Sequence, residues 1–206
     1  MYANKMESYE QQRTTPTQTP HKQSGSSIFF SELIRFIIIA VFVVLPIRVF
    51  IAQPFIVSGS SMDPTFKNGE YLIVDEISYR FEEPKRGDVI IFKYPKDPSK
   101  YFIKRIIGLP GEHIVISGNR VIVSEKEDTE SLVLDETYLA QPTLDNIDII
   151  LGKTEYFVMG DNRPASSDSR IWGPLERDHI IGRAFLRLLP VKKIGAFPGE
   201  HRFDTF

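Results

Sequence analysis

The stretch EHIVISGNRVIV, residues 112–123, alternates apolar and polar side chains on both sides of Ser117-Gly118-Asn119-Arg120. Alternation with a period of two puts one face of an extended chain on a core and the other in water. Glycine and asparagine between two such runs supply a tight hairpin turn. Further short runs rich in Val, Ile, Phe and Tyr lie on either side: YLIVDEI (71–77), GDVIIFKY (87–94), YFIKRIIGL (101–109), YFVMGD (156–161) and HIIGRAFLRL (179–188). Gly, Pro and Asn punctuate them, and no long helical period intervenes. The predicted fold is mostly β, an antiparallel β-sheet domain covering 52–206. Residues 124–152, with EKEDTESLVLDE, are charged and irregular and predict a surface excursion. No internal repeat is present.

The first 51 residues have a different composition. Residues 1–27 are rich in Gln, Thr, Ser and Pro and too poor in apolar side chains to offset the entropy of ordering, so they predict a disordered tail. Residues 28–51, IFFSELIRFIIIAVFVVLPIRVFI, would form a helix roughly 36 Å long, enough to cross a hydrocarbon core. Its uninterrupted apolar run, 36–47, is bracketed by Arg35 and Arg48, which can snorkel toward opposite interfaces. A buried core helix would carry a polar face, and a cleaved leader would carry small residues before the cut, where Phe50 stands here. An uncleaved, single-pass membrane anchor is the reading that remains. Lys22 and Arg35 flank it on one side, and after Arg48 the next cation is Lys67. That bias places the tail in the cytoplasm and the β domain outside.

Bulk properties narrow the chemistry. The net charge of −2 gives no electrostatic case for nucleic acid. The absence of cysteine excludes disulfides, thiolate metal sites and a thiol nucleophile. His21, His113, His179 and His201 show no paired metal-ligand spacing, and no cofactor or metal is expected. The segment SGSSMDPT, 58–65, offers hydroxyls, each inert until a base takes its proton. None of the four histidines has a neighbouring motif that would orient it as that base. A lysine can serve only if its pKa, ordinarily near 10.4, falls by about three units, which burial among apolar groups can supply. Most lysines here lie in solvated surroundings. Lys104, in YFIKRIIG, lies between Phe102, Ile103, Ile106 and Ile107, although strand alternation alone would equally point it to water.

SSMDPT (60–65), RGDVIIFKYP (86–95), YFIKRIIGLPGE (101–112) and MGDNRPASSDSRIWG (159–173) follow one apolar span in this order. Together they resemble the type I signal peptidases, membrane-bound serine proteases that remove signal peptides from exported proteins. The resemblance covers nearly all of 52–190. It implies Ser61 as nucleophile, with its own backbone N–H in the oxyanion hole, and Lys104 as general base. Ser166 would orient the lysine. Asp168 with Arg170, and Arg105 with Asp161 or Asp168, would be structural ion pairs. Phe55, Val57, Ile91 and Ile103 would wall shallow pockets that admit small side chains, giving cleavage after Ala-x-Ala. Substrates would be the signal peptides of exported preproteins, lying as a strand beside 55–58 and 101–104, close to the lipid bilayer. Some members carry a serine two residues before the nucleophile. Gly59 stands here, which leaves Ser58, Ser60 or another main-chain N–H as the second oxyanion donor.

Two alternatives belong to other classes. A self-cleaving regulator of the LexA type shares the Ser-Lys chemistry, but it carries a DNA-binding unit where this protein has a polar tail and an apolar span. A non-catalytic, membrane-tethered binding module would be favoured had Ser61 or Lys104 been replaced.

Overall fold

A computed structural model of the protein describes residues 25–44, 52–125 and 130–203. Among these the architecture is mostly antiparallel β, as the alternating runs predict. The strands are β1 (Ala52–Ile56), β2 (Tyr71–Asp75), β3 (Val89–Tyr94), β4 (Asp97–Gly108), β5 (His113–Gly118), β6 (Arg120–Ser124), β7 (Ser131–Val133), β8 (Asp145–Ile150), β9 (Glu155–Met159), β10 (Leu175–Glu176), β11 (Ile180–Leu189) and β12 (Gly195–Ala196). One sheet has the order β1-β2-β11-β3-β4-β9-β10, with β12 also paired to β11. A second sheet, β7-β6-β5-β8, is inserted between β4 and β9.

The hairpin of 112–123 forms as its pattern requires. Ser117 faces Arg120 across the turn, and Ile114, Ile116, Val121 and Val123 are buried. They pack against Ile107, Phe157 and Met159, so one core joins the inserted sheet to β4 and β9. Strand β3 is central, and its VIIF run is buried throughout, since a strand covered on both faces has no polar side to show. A second core, with Val57, Met62, Phe66, Leu72, Val89 and Ile91, lies beneath the 57–66 turn.

The stretch expected as an irregular excursion contains β7 and β8, which complete the inserted sheet, while 126–129 lie outside the described residues. Strand β8 alternates half-buried and exposed positions, the pleat of an edge strand with one wet face.

Of the expected tail, residues 1–24 lie outside the described residues, and α1 begins at Gly25. Helix α1 (Gly25–Ile39) continues into a π turn, Ala40–Val44. Residues 45–51 of the expected anchor lie outside the described residues. Among those described, no helix is long and apolar enough to cross a membrane. The large apolar side chains from Phe29 to Val43 are exposed, Phe36 by 71% and Phe42 by 74%.

Candidate active site

Successive residues of β4 point to opposite faces, so neighbouring cations have separate surroundings. Lys104 turns toward the 58–66 turn and is only 3% exposed. Its Nζ lies 2.7 Å from Ser61 Oγ and 2.9 Å from the carbonyl of Ile103, to which it donates. Phe102 adds a ring 5.2 Å from the same nitrogen. Burial lowers the lysine pKa to about 8, against a smaller upward pull from Asp168 and then Asp161. In its neutral form this amine can accept the Ser61 hydroxyl proton.

The turn carrying Ser61 is pinned from several directions. Gly59 has a φ of +93°, a left-handed conformation that favours glycine over serine, and its N–H donates to Asn68 Oδ1 at 3.0 Å. Phe66 N–H donates to Met62 O at 2.8 Å, and Met62 is buried in the core below. Asn162 holds the turn twice: its backbone N–H donates to Ser61 O at 2.9 Å and its side-chain amide to Ser60 O at 3.1 Å. Gly-Asp-Asn-Arg stands out as a motif in the sequence, yet nothing in it assigns Asn162 a role, because a side chain's reach across a hundred residues has no local signature.

Arg105, on the other face of β4, is 1% exposed. It grips Asp161 through Nε at 2.9 Å and Nη2 at 2.7 Å, so Asp161 rather than Asp168 is its partner. Asp161 also accepts from Thr65 Oγ1 at 2.6 Å. Asp168 is fully buried, takes two bonds of 2.8 Å from Arg170, and accepts Gly160 N–H at 3.0 Å. It also caps α2 (Ser169–Trp172), accepting Arg170 N–H. Gly160 is a point of close approach: a Cβ there would lie 2.2 Å from Ser166 Oγ and 2.4 Å from Ser61 O. Ser166 is therefore beside the turn that carries Ser61 and buried, but its Oγ has no hydrogen-bond partner and does not contact Lys104 Nζ within bonding distance.

An apolar-walled cleft of about 480 Å³ opens over the Ser61–Lys104 pair. Phe55, Val57, Ile91 and Ile103 all line it, as do Ser58, Ser60 and Tyr101. Phe55 and Tyr101 meet edge-on in its wall, with ring centroids 5.5 Å apart. The histidines lie elsewhere: His113 contacts Asp148 at 2.7 Å, His201 contacts Asp135 O at 2.9 Å, and His179 does not line the cleft. His21 lies outside the described residues.

The family model described as signal peptidase, peptidase S26, matches residues 30–189. The protein is 38% identical over 181 residues to a probable signal peptidase I-2 of Synechocystis sp., covering 84% of its own length and 80% of that protein. It is 36% identical to a signal peptidase I of Leptolyngbya laminosa (89% and 91% covered) and 32% identical to one of Bacillus licheniformis (85% and 97%). A crystal structure of a signal peptidase I from Enterococcus faecalis aligns with a TM-score of 0.43 and 28% identity, over 50% of this protein and 97% of that one. A match over most of the sequence to the family model, joined to these curated relatives, means that the protein belongs to the signal peptidase I family of S26 peptidases.

Proposed function

We propose that the protein is a membrane-anchored serine endopeptidase that removes signal peptides from exported preproteins, with Ser61 as nucleophile and neutral Lys104 as base. The observation that carries this reading is the 2.7 Å contact between Ser61 Oγ and a lysine amine kept dry by its neighbours. Lys104 takes the hydroxyl proton as Ser61 Oγ attacks the scissile carbonyl. The oxyanion that forms accepts from the Ser61 backbone N–H, a donor whose loss typically costs about 3–4 kcal/mol. Lys104 then gives its proton to the departing amine and activates the water that opens the acyl-enzyme. The unspent hydroxyl of Ser166 is assigned to hold the amine once it is neutral.

The substrate lies extended between 55–58 and 101–104, and main-chain hydrogen bonds supply affinity whatever its sequence. Phe55, Val57, Ile91 and Ile103, which line the cleft, are assigned to wall shallow pockets for small side chains, the Ala-x-Ala preference that the resemblance implies. The exposed apolar side chains of 29–43 support an anchor in the bilayer, and Lys22 and Arg35, with no cation between Arg48 and Lys67, favour the tail in the cytoplasm and the β domain outside. Tethering raises the local concentration of a substrate that is itself membrane-bound.

The test is cleavage of a preprotein by the detergent-solubilised full-length protein. Ser61→Ala and Lys104→Ala are each expected to abolish it, whereas His113→Ala and His179→Ala retain it. Cleavage by Lys104→Ala would remove the base.

A further inference from the structure

Beyond residue 189, where the family match ends, the polypeptide crosses behind the reactive pair. After β12 it turns back on the protein: Phe197 N–H donates to Phe185 O at 2.7 Å, and Glu200 N–H to Phe197 O at 3.1 Å. Gly199 then meets the two residues that close the nucleophile turn. A Cβ on it would be 2.5 Å from Thr65 Cγ2 and 2.9 Å from the Phe66 ring, and its φ of +76° also favours glycine. The Gly199 carbonyl accepts from Arg105 Nη1 at 2.7 Å, beside the bond from the same nitrogen to Gly87 O at 2.9 Å. Two residues on, the backbone passes so close to Gly87 that a Cβ there would lie 1.9 Å from His201 O. His201 and Phe203 then pack against Tyr138, tilted and edge-on with ring centroids 4.8 and 6.1 Å away, and the Tyr138 ring centroid lies 4.2 Å beneath the Arg105 guanidinium.

Arg105 adjoins Lys104 in sequence, and Thr65 shares Asp161 with Arg105. One segment thus presses on the supports of both halves of the dyad while lining no part of the cleft. We propose that residues 197–203 form a positioning strap that holds Arg105 on Asp161 and thereby fixes Ser61 against Lys104. The strap acts through Arg105 and Thr65 and touches neither substrate nor reacting atoms. A misplacement near 1 Å at a reacting group can cost about 100-fold in rate, so a support of this kind shows in turnover before it shows in binding. It also has an electrostatic signature. The acidic groups facing Lys104 are Asp161 and Asp168, the latter covered by Arg170. Releasing Arg105 leaves the Asp161 charge less compensated, which favours the ammonium form of Lys104 and moves activity to higher pH.

The inference rests on the Ser61–Lys104 reading, and the experiment separates the two. In the full-length protein, His201→Ala with Phe203→Ala frees the strap without adding an atom, and Gly199→Ala wedges it off Thr65. Cleavage of a peptide substrate is measured across pH, alongside thermal melting. Expected for the double variant are a kcat about tenfold lower, a KM within about twofold of the parent, and an ascending pH limb displaced to higher pH. Gly199→Ala moves all three in the same direction. A folded double variant with the parent's kcat and pH limb overturns the strap, even where Ser61→Ala is inactive. Cleavage by Ser61→Ala overturns the dyad itself. A double variant whose melting temperature falls while kcat and pH limb stay put assigns the strap to stability alone and also overturns the proposal.

Discussion

At the scale of single residues, the proposed activity depends on where one amine rests on its titration curve. An ordinary lysine with a pKa near 10.5 is neutral in about one molecule in 3,000 at pH 7. At about 8, Lys104 is neutral in about one in ten. The sign follows from the cause: burial penalises the ammonium, so the depressed value means more free base at neutral pH, against the smaller pull of Asp168 and Asp161. The expected pH profile of kcat/KM for a small-residue peptide therefore has an ascending limb near pH 8. A limb near 10.5 would contradict a dry amine. The sequence already placed Phe102, Ile103, Ile106 and Ile107 around Lys104, but period-two alternation allowed the side chain to point either way. The turn from 58–66, folded over that face, closes the choice.

At the scale of elements, the 160–168 loop clamps the turn that carries Ser61. Asn162 supplies two of its bonds, one from the main chain and one from a half-buried side chain. Replacing the side chain removes a bond worth about 1 kcal/mol and leaves the other. Asn162→Ala is expected to lower kcat about tenfold with little change in melting temperature. An unaltered kcat would show that the backbone bond alone positions Ser61. Elements also explain what the sequence left hidden. The four-stranded insertion was half legible: β5 and β6 announce themselves through Ile114, Ile116, Val121 and Val123, each buried. Its outer strands did not. Strand β7 has three residues, and β8 reads DNIDII, where Asp and Asn, poor strand formers, occupy positions that an edge strand keeps polar.

At the scale of the whole molecule, buried charge is held in ion pairs, two of which adjoin the site. Arg105 and Arg170 pair with Asp161 and Asp168, the two carboxylates that act on Lys104, and their upward pull stays smaller than the effect of burial. The exposed apolar helix is the other molecular feature. With Phe36 and Phe42 mostly exposed, it presents apolar surface of the kind that marks a membrane or protein contact. The full-length protein is expected to sediment with membranes, to resist alkaline carbonate and high salt, and to be released by detergent. Release by salt alone would mean surface attachment and would remove the anchor from the proposal.

The sequence by itself determined the antiparallel β character, the order of the chemistry-bearing motifs, the apolar N-terminal span, and the candidacy of Ser61 and Lys104. The first three are local properties of residue type, period and spacing, and the candidacy of Ser61 and Lys104 comes from the motifs' resemblance to the type I signal peptidases. Only the tertiary structure decided that Arg105 pairs with Asp161, that Asn162 grips the Ser60 and Ser61 carbonyls, and that the C-terminal segment crosses behind both. Such contacts join residues tens to a hundred positions apart, and they exist because strands from distant parts of the polypeptide become neighbours in one sheet. Hydrogen-bond partners are chosen by distance in space, which the order of residues in a sequence does not carry.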